Sequence, residues 1–238
     1  MSNLTIIIPL LNEIKLLPSL FEVIKKYPKN IKYIFCDAGS TDGSLNLLSD
    51  NISAINATII TENLPEPSVL KTILLAEQSS LTQDDYVMIH PVDLDVSNAL
   101  DNILVSLNDK PDYVISYKKY DHAHFILLVQ SFTLNFFRVC LMKQFVWTNA
   151  PIFKVNLLSD FKGNTLGFLE DVICSDQLRK SSCKLNIIKS PVLVSTRRYT
   201  RDGIMTRFLG NIIILLLFRL RIKSISTLKN LYYQNNKK

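Results

Sequence analysis

Three short acidic stretches in this chain carry residue types at spacings that suit chemistry. Residues 35–44 read FCDAGSTDGS and follow an apolar run. A tight turn needs one glycine, and a helix cap needs one Ser, Thr or Asp. This stretch has two glycines, two aspartates and three hydroxyls in a chain with only 6 glycines. Gly39 and Gly43 let the backbone turn and approach a ligand closely. Asp37 can accept a hydrogen bond from a base N–H, and the following helix offers amide donors to an anion, with Thr41 or Asp42 as its cap. A turn plus cap is the bland alternative, and both can hold at once. Asp93 and Asp95 flank Leu94 in VDLD, and alternate positions on an extended segment point the same way, toward one cation. Mg²⁺ commonly takes one or two protein carboxylates and completes its shell with phosphate and water. Taken alone, a solvated loop capping a helix over 97–107 is the simpler account. Glu170 and Asp171 open a helix after GNTLGF, where a carboxylate could take a proton from an acceptor hydroxyl; acidic residues also suit the first turn of any helix. In STRRYTRDG, Arg197, Arg198 and Arg201 offer forks for phosphate oxygens, or simply a solvated basic loop. His90 reads as packing, and His122 and His124, two apart in a helical region, face different ways and do not read as metal ligands.

These residues need a scaffold, and the pattern supplies one. LTIIIPL is an unbroken apolar run, as in a strand buried on both faces. Asn12 can cap the next segment, where Leu16, Leu17, Leu20, Val23, Ile24 and Tyr27 recur at helical spacing with Pro18 in the first turn. IKYIFCDA, ATIITE, DYVMIHPV and DYVISYKKY read as further strands, separated by helical stretches. Such alternation predicts a mostly parallel α/β sheet wrapped in helices. Ligands bind such sheets at the carboxyl ends of strands, and both FCDAGSTDGS and VDLD fall there. The second half alternates less cleanly: a helical, aromatic-rich run over 122–142, then TNAPIFKV, a helix at LEDVICSDQLRK, one or two strands in KLNIIKSPVLVSTRRY, and a last apolar helix.

At 238 residues with 47% hydrophobic content, the chain can fill one large core and is not disordered. A single domain is expected, with a nucleotide-binding half at about 1–118, an acceptor half at about 119–202 and a hydrophobic, basic tail at 203–238. The four cysteines form no CxxC pair, so neither a disulfide framework nor a zinc site is indicated, and a reducing, cytoplasmic setting is expected. MSNLTIIIPLLNE reads as a strand, not a signal peptide. The net charge of +6 is lopsided: from Arg197 onward there are ten Lys/Arg and one acidic residue, +9, which leaves −3 for the rest. An anionic partner for the tail follows: lipid, nucleic acid or a phosphorylated ligand.

In order, these stretches resemble a family 2 glycosyltransferase of the GT-A fold. IIIPLLNE resembles that family's opening strand, CDAGSTDGS its nucleotide loop, DLD its DxD element and LEDV its acceptor-side Glu-Asp pair. The closing STRRYTRDGIMTRFLGNIIILLLFRL is similar to the tail of one bacterial subgroup. The resemblance implies that Asp37 and Glu13 contact the nucleoside, with Pro9, Asn12, Gly39, Ser40 and Asp42 around them and Lys71, Arg197 and Arg198 completing the nucleotide-sugar site. It implies that Asp93 and Asp95 hold Mg²⁺ or Mn²⁺ on the diphosphate. Asp171, beside Glu170, would be the base of an inverting transfer to a glycan or lipid-linked acceptor, with no nucleic acid involved. One departure is plain: PEPSVLKTILLAEQ lacks the Gly- and Asn-containing segment usual before the DxD strand, and Lys71 stands in for its basic residue.

Rival readings are a nucleotidyltransferase, which would want a Gly-rich basic loop where PLLNEIKLL stands, and a non-catalytic scaffold that uses its basic tail. GxGxxG is absent after the first strand, which speaks against a dinucleotide dehydrogenase. The apolar run Phe208 to Phe218 is 11 residues, well short of the roughly 20 that cross a bilayer. With Arg207, Arg219, Arg221 and Lys223 at its ends it suits a helix lying on a membrane surface, on the cytoplasmic face; a core helix is the alternative.

Overall fold

Ile6, Ile7 and Ile8 are all fully buried, as an apolar run must be when both faces of its strand meet a layer of core. The computed structural model describes residues 3–79, 81–83, 85–164 and 167–234. In chain order they form β1 (Leu4–Leu10), α1 (Leu17–Ile24), β2 (Lys32–Asp37), α2 (Ser44–Asn51), β3 (Ala57–Thr61), α3 (Val69–Leu74), β4 (Tyr86–Ile89), β5 (Leu94–Asp95) and α4 (Leu100–Ser106). There follow β6 (Tyr113–Tyr120), α5 (Phe125–Thr133), β7 (Ile152–Lys154), α6 (Asn156–Asp160), α7 (Glu170–Lys180), β8 (Leu185–Val194), α8 (Arg197–Asp202), α9 (Ile204–Arg219) and α10 (Ile225–Gln234). The strands make one sheet of order β3-β2-β1-β4-β7-β6-β8-β5.

Alternation along β1 sorts the core into two layers. Ile6 and Ile8 join Leu17, Leu20, Leu100 and Ile103 on the α1 and α4 face. Ile7 joins Leu70, Ile73, Phe153 and Leu178 on the α3 and α7 face. The α/β fold expected from the sequence is present, and β3, β2, β1 and β4 are parallel. Beyond β4 the sheet is mixed: β7 runs antiparallel to β4 and β6, and β5 antiparallel to β8. The reason lies between β6 and β7. β6 ends at the carboxyl edge, and the helical excursion that follows returns the chain to that same edge, so β7 must run back.

That excursion begins as α5 and continues as a π-helix over Leu134–Leu141. The Arg-rich segment is a short helix, α8, and not a loop. The tail is two helices: α9 ends at Arg219 and α10 begins at Ile225. Ile214, Leu217 and Phe218 of α9 pack on Phe168 and Leu228, so one side of α9 closes over the start of α7.

Candidate functional site

The loops that leave β1 and β2 are stitched together. Asn12 adopts a left-handed conformation (φ 55°); its N–H donates to Ser40 Oγ at 2.9 Å and its Oδ1 accepts from Thr41 N at 2.8 Å. The Asn12 side chain therefore binds the second loop and does not cap α1, whose N-cap, Leu16, makes no side-chain bond. Glu13 N donates to Ser44 Oγ, and Ile14 N to Asp42 Oδ2, each at 3.0 Å. Asp42 also accepts from the amide and hydroxyl of Ser44, the first residue of α2, while Gly43 occupies the cap position itself. Pro9 lies opposite Cys36 in the β1–β2 pairing, one residue from the strand end.

Asp37 is fully buried. Its carboxylate accepts from Gly39 N at 3.1 Å, from Ser40 N at 3.0 Å and from the Ser40 hydroxyl. Asp37 thus shapes the loop from inside. Gly39 is required twice over: its φ is +99°, and an added Cβ would lie 2.9 Å from Asn63 Oδ1 and 3.2 Å from Asn63 Cα. Across the opening, both terminal nitrogens of Arg197 lie 3.2 Å from Glu13 Oε2, joining α8 to the floor. The side chain of Arg198 lies outside the described part of the structure. Lys71 donates to the Glu66 carbonyl at 2.9 Å.

On the β4 side, His90 is buried and its Nε2 lies 2.9 Å from the Tyr27 hydroxyl, which accepts from Val96 N at 3.0 Å. Burial holds the imidazole down at about 4, so it is a neutral strut that fixes the turn over 91–96. That turn gives its two carboxylates different partners. Asp95 Oδ1 accepts from Ser97 N at 2.8 Å and Ser97 Oγ at 2.6 Å, and Asp95 Oδ2 lies 3.8 Å from Lys26 Nζ. The Asp93 carbonyl accepts from Ser195 N at 3.1 Å, and its carboxylate accepts no hydrogen bond from a described residue.

At the start of α7, left-handed Leu169 (φ 55°) sends two neighbouring carboxylates to different work. Glu170 is buried; its Oε2 accepts from Leu70 N at 3.1 Å and its Oε1 from Gly167 N at 2.9 Å, which anchors α3 to α7. Asp171 Oδ1 accepts from Val172 N at 2.9 Å, and Oδ2 lies 3.7 Å from Arg138 Nη2. Burial pushes the Asp171 carboxyl up, against the pull of Arg138 and, more weakly, Lys118.

Lys118 is the centre of this arrangement. It follows a register shift in the β6–β8 pairing, where the extra residues lie in β8 between Ile188 and Val192. Its Nζ donates to Thr148 Oγ1 at 3.0 Å and sits 5.3 Å from the centroid of the Tyr120 ring. Burial, then repulsion from Arg138, pushes the ammonium down to about 7, while Asp171 and Asp93 oppose the shift. Two carboxylates far apart in the chain thus act on one buried cation at the carboxyl edge of the sheet.

No family model and no curated protein matches this chain. Solved structures do. TarS from S. aureus superposes with a TM-score of 0.62 at 13% identity over 87% of this chain and 39% of its own. The mannosyltransferase PcManGT from Pyrobaculum calidifontis, solved with GDP-Man and Mn²⁺, superposes with a TM-score of 0.61 at 18% identity over 89% of this chain and 64% of its own. A TarS fragment, residues 1–349, solved with UDP-GlcNAc, matches with a TM-score of 0.60 at 14% identity over 82% of this chain and 58% of its own. The chain therefore spans less than two thirds of the structures it matches.

The fold is GT-A-like.

Asp93 and Asp95 are the carboxylates at this edge that could hold a divalent cation. Among the described residues no three His, Cys, Asp or Glu side chains gather to form a metal cage. Asp95 offers one oxygen not taken up by Ser97, shared with Lys26, and Asp93 offers its whole carboxylate. That fits a cation held by one or two carboxylates with a diphosphate supplying the rest, and not a closed protein site.

Lys118 and Arg138 were not singled out from the sequence. In SYKKY the signal was phase: Ser116, Lys118 and Tyr120 alternate on one buried side of β6, with Lys119 exposed between. For Arg138 it was isolation, a single cation in the apolar run LNFFRVCL.

Proposed function

We propose that this chain transfers a sugar from a nucleoside diphosphate sugar to an acceptor hydroxyl, with inversion at the anomeric carbon. The observation that carries this reading is the buried Asp171 carboxylate at the start of α7, 3.7 Å from Arg138 Nη2, in the same fold as the stitched loops of β1 and β2. The shared fold with PcManGT, solved with GDP-Man and Mn²⁺, and with TarS 1–349, solved with UDP-GlcNAc, supports the donor class.

The stitched loops of β1 and β2, with Pro9, Asn12, Glu13, Gly39, Ser40 and Asp42, make the floor for the nucleoside; Asp37 holds that floor in shape from beneath. Arg197 closes over it through Glu13, and Lys71 and Arg198 would serve the diphosphate. Asp93, with the free oxygen of Asp95, would hold Mg²⁺ or Mn²⁺, which supplies neutralisation of the departing diphosphate. Lys118, when protonated, adds positive charge where that negative charge develops. Asp171 takes the proton of the acceptor hydroxyl, its oxygen oriented by Arg138, and Glu170 sets the start of α7 so that Asp171 faces the crevice. The acceptor is a glycan or a lipid-linked saccharide presented at the cytoplasmic membrane face, met there by the C-terminal helix.

The test is turnover of UDP- and GDP-sugars by the full chain, with and without Mg²⁺ or Mn²⁺, followed as release of nucleoside diphosphate. Release that depends on Asp171 is expected. Full activity in Asp171→Asn would remove the base assignment, and no release from any donor would favour a non-catalytic scaffold. That second reading draws on Asp37 being taken up within its own loop and Lys71 turning to a backbone carbonyl.

A further inference from the structure

Two neighbouring helices expose ridges of large apolar side chains, only one of them in the tail. Phe125 and Phe132 of α5 and Phe136 of the π-helix project outward, Phe125 at 76% and Phe132 at 65% exposed. Their spacing puts them on one stripe, while Leu127, Gln130 and Ser131 face the core. On α9, Leu209, Ile213 and Leu216 form the matching stripe, opposite the side that packs on Phe168 and Leu228. The two helices that carry these stripes pack against each other. A soluble monomer seldom leaves so many large apolar side chains together in water.

We propose that these two ridges dock together on an anionic lipid bilayer. Charge selects that occupant. Residues 122–159 and 203–238 contain no Asp or Glu, and Lys143, Arg221 and Lys223 are exposed beside the ridges. A second copy of the chain would bring a +9 tail against its own like, an opposed pairing of like charges. A bilayer bearing anionic headgroups accepts the phenylalanines and leucines into its acyl boundary and the lysines and arginines at its surface. No helix among the described residues is long and apolar enough to cross, so the contact is with one leaflet.

The docking surface also bears on the site. Arg138 lies in the same helical run as Phe132 and Phe136 yet reaches Asp171. Arg219, at the end of α9, binds Asp176 of α7. Both ridges therefore brace α7, which carries Asp171 in its first turn, and a docked molecule holds that residue beside the headgroups. This last step rests on the proposed transferase; the docking itself does not.

Co-sedimentation of the full chain with phosphatidylcholine vesicles, with and without phosphatidylglycerol, tests the proposal. Binding to the anionic vesicles is expected, weakened by salt. The double substitution Phe132→Ser/Phe136→Ser should lower partition at least about tenfold, and Leu209→Ser/Ile213→Ser likewise. All four side chains point to solvent, and circular dichroism with nucleotide-induced thermal shift checks that the variants remain folded. Wild-type chain left in the supernatant with both vesicle types would overturn the proposal. So would loss of binding in the α9 variant only, which would reduce the surface to the tail, or a concentration-dependent dimer abolished by the same substitutions with vesicles capturing nothing. Failure to bind vesicles with nucleotide binding intact would leave the transferase reading standing, and the reverse result would leave the docking surface standing.

Discussion

Asp171 holds its proton more tightly than an ordinary carboxyl because burial outweighs the pull of Arg138. A base works only when deprotonated, so kcat/KM should rise with pH through a pKa above the usual carboxylate value. Asp171→Asn should lower kcat by about 10²–10⁴-fold with nucleotide affinity retained, as steady-state kinetics and calorimetry would read. Lys118 works in the opposite sense. Its folded pKa, about 7, lies below the ordinary 10.5, so over that window the folded state binds fewer protons than the unfolded one and stability rises with pH. The rise stops once the pH passes the unfolded value. Melting temperature followed from pH 7 upward should climb in the wild type, and Lys118→Met should lose that part of the slope. A melting curve unchanged by the substitution would mean that the ammonium is better solvated than its burial indicates.

At the level of elements, the nucleotide loop depends on backbone geometry more than on any ion pair. Gly39→Ala must accept both a φ of +99° and a Cβ against the Asn63 backbone, and should cost about 1–3 kcal/mol in chemical denaturation. Arg197→Ala breaks a pair whose guanidinium is 41% exposed, so it should cost no more than about 1 kcal/mol while weakening nucleotide binding, as titration calorimetry would show. The loop's position at a strand end was legible in the sequence, because apolar runs and glycines punctuate the first half sharply. Its inner wiring was not. Asn12 looked like a helix cap because local hydrogen bonding is the usual use of such a residue, yet its partner, Thr41, lies in another loop. Glu170 and Asp171 are equivalent on paper; only the left-handed turn at Leu169 decides which meets α3 and which meets Arg138. The antiparallel β7 was hidden for a similar reason, since three residues of strand give too little pattern to show direction.

For the whole molecule, the alternation of strand and helix sufficed to expect an α/β sheet with its acidic loops at one edge, and that edge is where they are. What lay beyond reach was the placing of Asp171 against Arg138, because it depends on a contact between α7 and the excursion after β6. Nucleoside diphosphate with Mn²⁺ should raise the melting temperature of the full chain, by the equivalent of about 2.7 kcal/mol at a hundred times Kd. Differential scanning fluorimetry would read this, and Asp93→Asn should abolish the metal-dependent part of the shift while sparing the rest.

The π-helix over Leu134–Leu141 has one more consequence. Its wider winding lets Arg138 turn inward while Phe136 and Phe137 stay outside. A chain shortened by a single residue there would relax to ordinary α winding and turn the residues of that segment against the helix around them. One lost codon would then swing the guanidinium off its carboxylate and skew the neighbouring aromatic row, without removing any residue that touches either.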